Sequence, residues 1–177
     1  MYHIKELFSL KGKIAIVTGG AGWLGSSISE ALAEAGAHVV IASRNLKNCC
    51  KKAEAISKNN PRALGVKLDI TKEESIQEMV DKVIKDFGKI DILVNNGGSG
   101  TFYAKDNIRV NAISPGAFPH PEIQKHQKFI KNLSRKIPLN RIGQPYELKG
   151  AVVFLASKAS SYVTGHNLVV DGGWTVW

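Results

Sequence analysis

The fold of this 177-residue chain is decided by the stretch Thr18-Gly19-Gly20-Ala21-Gly22-Trp23-Leu24-Gly25. The β-branched run from Ile14 to Thr18 ends in these glycines, and apolar residues recur behind them at helical spacing from Ile28 until Gly36. This order predicts a strand, a tight turn and a helix that a glycine terminates. In that context an otherwise weak glycine pattern becomes specific.

Three glycines in this turn have separate physical tasks if the turn binds a dinucleotide. Gly19 permits the tight exit from the strand, Gly22 lets the backbone approach a pyrophosphate, and Gly25 allows close packing of helix on strand. The N–H groups at the positive end of the helix, near Trp23 and Leu24, would then hold the phosphates. The alternative is a tight turn that binds nothing, and the flanking strand and helix favour the cofactor site over it.

The first half of the chain repeats the pattern of a strand followed by a helix. One helix is predicted to begin after Asn45 and to run to the Asn59-Asn60-Pro61 breaker. The next is predicted to open on a capping box of Thr71 and Glu74 and to end at Gly88. The predicted strands are His38 to Ala42, Leu64 to Leu68 and Ile90 to Val94. The alternation predicts a doubly wound α/β fold, with a mostly parallel sheet and helices on both faces.

The pattern changes abruptly after Asn95-Asn96-Gly97-Gly98-Ser99-Gly100. No long amphipathic helix separates this loop from the next predicted strand, Ile108 to Ile113, although parallel neighbours need a crossover that is usually helical. The sequence beyond it predicts a loop from Pro115 to Pro121, a basic helix from about Glu122 to Lys136, a helix from Tyr146 to Ser157 and a strand from Leu168 to Val170.

The composition is that of one globular domain, which we expect to span residues 1–177. Hydrophobic residues make up 44% of the chain and charged residues 22%. The longest apolar runs are too short to span a membrane, and Lys5 and Glu6 interrupt the N-terminus where a signal peptide would be apolar. We therefore expect a cytoplasmic protein with no membrane partner. The only cysteines, Cys49 and Cys50, lack the spacing of a zinc site or a disulfide framework and are interpreted as reduced thiols.

The formal net charge of +9 raises the question of a nucleic-acid partner. The basic residues lie mainly in two helical segments with few aromatic residues between them, and no nucleic-acid-binding motif accompanies them. A solvated basic surface is therefore the favoured interpretation, and nucleic acid is an unlikely partner. The five histidines show no metal-ligand spacing, so no metal site is predicted.

The residues at the end of the second predicted strand decide which nicotinamide cofactor the turn would select. A carboxylate there would bind the ribose 2′-hydroxyl and repel a 2′-phosphate. This chain has Ser43 and Arg44 instead, and a hydroxyl followed by a guanidinium suits a phosphate dianion. The alternative is an ordinary surface arginine. We expect NADP(H) to be favoured over NAD(H).

Taken together, these motifs resemble those of the short-chain dehydrogenase/reductase family over nearly the whole chain. Thr18 to Gly25 is similar to the family's glycine motif, with Trp23 where the commoner form has glycine. The other matching stretches are Asp69 with Ile70 beside it, Asn95-Asn96-Gly97-Gly98, Asn107 to Gly116 and Val170-Asp171-Gly172-Gly173. The resemblance implies a Rossmann-like oxidoreductase in which Asp69 bonds the adenine and Asn95 and Gly97 line the cofactor site. It places Pro115 and Gly116 beside the nicotinamide.

The catalytic apparatus that the family carries between the Asn-Asn loop and the sixth strand is missing here. The resemblance implies a strand ending in a serine and a helix bearing Tyr-x-x-x-Lys, yet this stretch has collapsed to Ser99 through Asp106. The loss is about sixty residues, or two crossover units, so one central strand and two helices are lacking. Tyr103 precedes Lys105 by two positions, not by one helical turn, so we assign no catalytic residue. The deletion junction is expected near residues 98–106.

Two functions remain open on this basis. The first is an NADP(H)-dependent oxidoreductase that transfers hydride to or from a carbonyl or alcohol of a small molecule held near Pro115 to Ile123. The second is a catalytically inactive shortened relative that acts as a cofactor-binding or interaction protein. A homo-oligomer is compatible with either function, although the helices that the family uses to pair subunits are deleted.

Overall fold

The computed structural model describes residues 3–95 and 106–176, and it confirms the predicted α/β fold. Four parallel strands form the main sheet in the order β3-β2-β1-β4. They are β1 (Ile14–Thr18), β2 (His38–Ser43), β3 (Ala63–Lys67) and β4 (Ile92–Val94). The sequence predicted these strands to within two residues at each end because each is an apolar run bounded by turn residues.

Helices follow the strands of the first half as the periodicity predicts. The helices are α1 (Ile4–Leu7), α2 (Trp23–Glu34), α3 (Leu46–Ser57), α4 (Glu73–Phe87), α5 (Pro121–Gln124), α6 (Gln127–Ser134) and α7 (Lys149–Ala156). Asn45 caps α3 by accepting the Asn48 N–H, and Gly88, at φ 80°, terminates α4 in the left-handed conformation. No helix in the described ranges has both the length and the apolar character that crossing a membrane requires.

Helices pack on both faces of the main sheet, and successive side chains along each strand point alternately to one face and the other. Residues from α2, α3 and α7 pack on the face that carries Val17 and Ile41. Met79 and Val83 of α4 pack on the opposite face, which carries Ile16 and Val40. This two-sided cover is the doubly wound arrangement that the alternation of elements predicted.

The remaining two strands form a separate parallel sheet. They are β5 (Ala112–Pro115) and β6 (Asn167–Val170), and Ile113 pairs with Leu168. Ile113 packs against the same core cluster as Ile92 and Val94 of β4, so the two sheets share one core. Among the described residues the sheet is therefore interrupted between β4 and β5, where the sequence predicted a missing strand.

The expected strand from Ile108 to Ile113 is wrong over its first four residues, since β5 begins only at Ala112. Asn107 has a positive φ of 60°, which an extended strand does not adopt. The Arg109 guanidinium donates to Ser160 Oγ and to the carbonyl oxygens of residues 155, 157 and 163. Asn111 also donates from its side chain to the Val163 carbonyl. These side-chain bonds tie the segment to the loop before β6, and strand periodicity does not reveal such bonds.

Two helix predictions also need correction. The capping box of Thr71 and Glu74 is wrong, because the N–H and the hydroxyl of Thr71 both donate to Asp69 and Lys72 precedes the first helical residue. The single basic helix from Glu122 to Lys136 is two short helices, α5 and α6, because His126 between them has a non-helical ψ of 77°. The helix expected from Tyr146 begins as a 3₁₀ turn over Pro145–Leu148 and becomes α-helical at Lys149.

Candidate functional site

The carboxyl ends of the parallel strands bring the predicted site residues to one edge of the sheet. The glycine turn follows β1, Ser43 ends β2, Asp69 follows β3 and Asn95 follows β4. The register places Thr18 beside Ala42 and Val17 beside Val94, so these ends are level with one another. In open α/β sheets this edge is where ligands bind.

The glycine turn has the conformation that its sequence requires. Gly19 has a φ of 65°, the left-handed region in which a side chain is strained. A Cβ on Gly25 would overlap the carbonyl oxygen of Gly19, so only glycine lets α2 lie this close to the end of β1. Ser29 of α2 is fully buried and donates to the Gly20 carbonyl at 3.1 Å, which fixes the turn from the helix side.

The N-terminus of α2 is open to an anion. Gly22 is the N-cap and supplies no side-chain hydrogen bond, and the first turn contains no acidic residue. Among the described residues, the N–H groups of Trp23, Leu24 and Gly25 have no acceptor, since the first helical bond runs from Ser26 to Gly22. Free N–H groups at the positive end of a twelve-residue helix form a ready anion site.

Two polar side chains, Ser43 and Arg44, lie at the carboxyl end of β2, at the same edge of the sheet as the glycine turn. Ser43 is partly buried, and its Oγ lies 3.0 Å from the Sγ of Cys49. Arg44 is exposed, and within the described ranges its guanidinium has neither a hydrogen bond nor an ion pair. An unpaired guanidinium next to a hydroxyl can bind a phosphate with charge-assisted hydrogen bonds.

Asp69 and Ile70 lie at the end of β3, as the sequence placed them. The Thr71 hydroxyl donates to the Asp69 carboxylate at 2.8 Å and the Thr71 N–H at 3.1 Å. These two bonds, with smaller contributions from Lys72 and Arg44, lower the pKa of Asp69 below its usual value. Ile70 is 64% exposed, so an apolar surface faces solvent beside the carboxylate.

At the end of β4, Asn95 lies beside the turn after β1. The Thr18 hydroxyl donates to the Val94 carbonyl at 3.2 Å and lies 3.4 Å from the side-chain oxygen of Asn95. These contacts hold the ends of β1 and β4 together. The predicted site residue Gly97 lies outside the described residues.

Pro115 and Gly116 end β5, and the loop after them returns to the N-terminus of α2. Gly116 donates to the Val170 carbonyl, and a Cβ on Gly116 would stand 2.6 Å from the Cα of Asp171. The His120 ring lies edge-on to the Trp23 ring at 5.7 Å. The second half of the chain thus reaches the glycine turn through this loop.

A groove of about 510 Å³ lies between that loop and α2. It is lined by Ala21, Gly22, Trp23, Ser26, Ser27, His120, Pro145 and Tyr146. The indole N–H of Trp23 is buried there without an acceptor in the described ranges. Sequence reasoning missed His120 and Tyr146, because a single histidine or tyrosine in a loop forms no pattern that indicates a site.

Among the described residues, no tyrosine and lysine at this site are arranged for proton transfer. No tyrosine of the sequence is followed four positions later by a lysine. Tyr146 precedes Lys149 by three positions, but Lys149 donates to Glu34 at 2.6 Å and also pairs with Glu30. Burial lowers the pKa of Lys149, but the Glu34 and Glu30 carboxylates outweigh it and raise the pKa overall. The Lys149 ammonium is therefore engaged by the carboxylates of α2 and does not activate Tyr146.

The part of the chain that the structure describes holds no cluster of three or more histidine, cysteine, aspartate or glutamate side chains that could bind a metal ion.

The fold and the site at the carboxyl edge of the sheet are typical of nucleotide-binding α/β proteins. Comparison with known families identifies the family within this class. Residues 13–103 match the short chain dehydrogenase family model, and residues 99–175 match the enoyl-(acyl carrier protein) reductase model. The chain belongs to the short-chain dehydrogenase/reductase family, whose members are oxidoreductases that bind NAD(P).

Individual relatives agree with that assignment. The chain is 29% identical to sorbose reductase SOU1 of Candida albicans over 261 positions, which cover 98% of this chain and 90% of the relative. It is 29% identical to the 2-dehydro-3-deoxy-D-gluconate 5-dehydrogenase of Escherichia coli over 252 positions, covering 97% and 98%. A short-chain type dehydrogenase/reductase from Mycobacterium marinum superposes with a TM-score of 0.89 at 26% identity, covering 98% and 99%.

These alignments also show that the chain is internally shortened. Both extend over more than 250 positions, whereas this chain has 177 residues, so each relative has many positions without a counterpart here. The shortening agrees with the internally shortened family member that the sequence predicted.

Proposed function

We propose that this protein binds NADP(H) at the carboxyl edge of its sheet and acts as a reductase or dehydrogenase on a small carbonyl or alcohol compound. One observation carries the proposal. The uncapped N-terminus of α2 and the unpaired Arg44 guanidinium offer two anion sites at the same edge of the sheet. NADP(H) has a pyrophosphate and a 2′-phosphate, and NAD(H) lacks the second of these groups.

The residues present fit this cofactor. The N–H groups of Trp23, Leu24 and Gly25 would hold the pyrophosphate, and the missing side chain of Gly22 leaves room for its approach. Ser43 and Arg44 would hold the 2′-phosphate. Asp69 and Ile70 would border the adenine, while Asn95, Gly97, Pro115 and Gly116 would line the nicotinamide side.

The bound cofactor would supply a hydride for exchange with a carbonyl or alcohol carbon. The chain would position the substrate with the loop from Pro115 to Ile123, which reaches the glycine turn through the contact of His120 with Trp23. The names of the relatives, a sorbose reductase and a gluconate-type dehydrogenase, support a small polar carbonyl compound as substrate. We place the deletion junction near residues 98–106 within a single domain, because the two family matches meet at residues 99–103.

A second function, cofactor binding without turnover, is favoured by one specific observation. No tyrosine of the chain has a lysine one helical turn further on, so the sequence lacks the Tyr-x-x-x-Lys pair that would protonate the developing alkoxide. Loss of general acid catalysis lowers rates by about 10² to 10⁴. A protein of this kind would bind NADP(H) normally and would turn over slowly or not at all.

Single-turnover measurements with NADPH separate the two functions. Excess protein is mixed with NADPH and a panel of aldehydes, ketoses and keto acids, and oxidation of the nicotinamide is followed by its absorbance. Oxidation that depends on both protein and substrate supports the oxidoreductase. Saturable NADPH binding without oxidation for any member of the panel supports the second function, and absence of NADPH binding contradicts both.

A further inference from the structure

The thiol of Cys49 lies directly behind the Ser43 hydroxyl at the proposed 2′-phosphate site. The Cys49 Sγ is 3.0 Å from the Ser43 Oγ, and either atom can be the donor. Cys49 has no exposed surface, whereas Ser43 is only partly buried. The hydroxyl therefore connects a buried thiol with the solvent-facing edge of the sheet.

Close packing of α3 on β3 fixes the position of this thiol. A Cβ on Gly65 of β3 would stand 2.7 Å from the carbonyl carbon of Cys49 and 2.5 Å from the backbone nitrogen of Cys50. Only a glycine lets the backbone of α3 come so near to the strand. At the start of α3, the Asn48 N–H donates to the Asn45 Oδ1 at 3.1 Å. These two contacts restrict a rotation of α3 that would move the Cys49 thiol away from Ser43.

Which of the two atoms donates determines whether Ser43 can also donate a hydrogen bond to an anion. A serine hydroxyl has one proton and two lone pairs. If Ser43 donates to sulfur, it presents only lone pairs to a phosphate, and these repel the anion. If the thiol donates to Ser43, the single proton of the hydroxyl is free to point outward.

We propose that Cys49 is a positioning residue for the cofactor's 2′-phosphate: its S–H donates to the Ser43 Oγ and thereby directs the Ser43 proton toward the phosphate. This inference rests on the proposed NADP(H) site. The Cys49 S–H and the Ser43 O–H then form two successive hydrogen bonds, the second of which ends on the phosphate. Each hydrogen bond in such a series polarises the next. Cys49 itself touches no ligand.

The test compares two nucleotides that differ only in the 2′-phosphate, namely 2′,5′-ADP and 5′-AMP, in calorimetric titrations. Cys49→Ala removes the donor that orients and polarises the Ser43 hydroxyl, and we expect 2′,5′-ADP to bind about two- to threefold more weakly while 5′-AMP binding stays the same. Cys49→Ser keeps a donor and should restore most of the difference. Cys50→Ala is the matched control, because this neighbouring thiol makes no described hydrogen bond to Ser43 and should leave both affinities unchanged.

A second arm uses Ser43→Ala as the background. Once the hydroxyl is absent, Cys49→Ala should cause no further loss of 2′,5′-ADP affinity, because the thiol acts only through Ser43. If Cys49→Ala does not fold, Cys49→Val fills the space without a donor and takes its place in both arms.

The outcomes separate this inference from the proposed function. If the unaltered protein binds 2′,5′-ADP no more tightly than 5′-AMP, the NADP(H) site is wrong and the role of Cys49 fails with it. If the unaltered protein prefers 2′,5′-ADP and Cys49→Ala either keeps the full preference or weakens both nucleotides equally, the site stands and the positioning role is overturned.

Discussion

At the residue scale, Arg44 is the side chain on which cofactor selectivity depends. Its guanidinium is exposed and makes no hydrogen bond or ion pair among the described residues, so binding a phosphate breaks no such bond. We expect Arg44→Ala to weaken NADPH binding about ten- to a hundredfold, because a hydrogen bond to a charged group contributes about 1.5–3 kcal/mol. NADH binding should change by less than about twofold.

Fluorescence titrations of both cofactors check this prediction. Arg135→Ala is the control, because Arg135 is also an exposed arginine but lies at the end of α6. Equal weakening of NADPH and NADH by Arg44→Ala would contradict the selectivity argument.

The glycine turn can be tested by adding one methyl group. A Cβ on Gly25 would overlap the Gly19 carbonyl oxygen, which is backbone and cannot move aside cheaply. Gly25→Ala should therefore lower the free energy of unfolding by about 2 kcal/mol or more and weaken the binding of both NADPH and NADH.

Gly150 of α7 provides the matched change. A Cβ there meets nothing within 4 Å, so Gly150→Ala should be neutral or stabilising by up to about 1 kcal/mol. The melting temperatures of the two variants test this prediction. Equal destabilisation would show that crowding of the added Cβ at the glycine turn is not the cause of the loss.

At the scale of elements, Glu147 ties the 3₁₀ turn over Pro145–Leu148 to the preceding loop. Arg141 donates to both carboxylate oxygens at 2.7 and 2.8 Å, and the Gln144 N–H donates as well. These bonds lower the pKa of Glu147 to about 2 from a usual value of 4.5. Because the pKa is lowered on folding, this stabilisation is present above about pH 4.5 and is lost as the pH falls toward 2.

We expect the difference in melting temperature between the unaltered protein and Glu147→Gln to shrink as the pH is lowered from 5 to 2.5. The effect is small, since the ion pair is largely exposed. A difference that stays constant with pH would show that the charge of Glu147 contributes nothing to stability.

The elements that the sequence predicted well are those in which every residue obeys one local pattern. Strands β1 and β2 and helix α3 depend on apolar spacing and on a cap within three residues. The predictions failed where distant groups determine the backbone, as for Arg109, which bonds a loop some fifty residues further on. The glycine turn and Ser43 could be identified from sequence, whereas the Cys49 thiol and His120 could not, because their partners are set by packing.

At the scale of the whole molecule, part of one face of the main sheet is exposed at β4 among the described residues. Leu93 of β4 is 58% exposed, while its neighbour in the register, Ile16 of β1, is 2% exposed. In the described structure α4 is the helix on this face, and its buried residues pack with the cluster that contains Ile16.

We therefore expect Leu93→Thr to change the free energy of unfolding by no more than about 0.5 kcal/mol, as for an ordinary surface position. Ile16→Thr should cost about 2 kcal/mol or more, because it removes buried apolar surface and buries a hydroxyl. Urea unfolding of both variants tests whether the face is open in solution. A large loss for Leu93→Thr would show that another part of the protein, or a second copy, covers it.

The central claim is that this internally shortened family member still binds its cofactor and prefers the form with a 2′-phosphate. The most direct measurement is a calorimetric titration of the unaltered protein with NADPH and with NADH under the same conditions. We expect saturable binding of NADPH that is at least about tenfold tighter than that of NADH, a difference of about 1.4 kcal/mol. Equal or tighter binding of NADH, or no saturable binding of either cofactor, would contradict it.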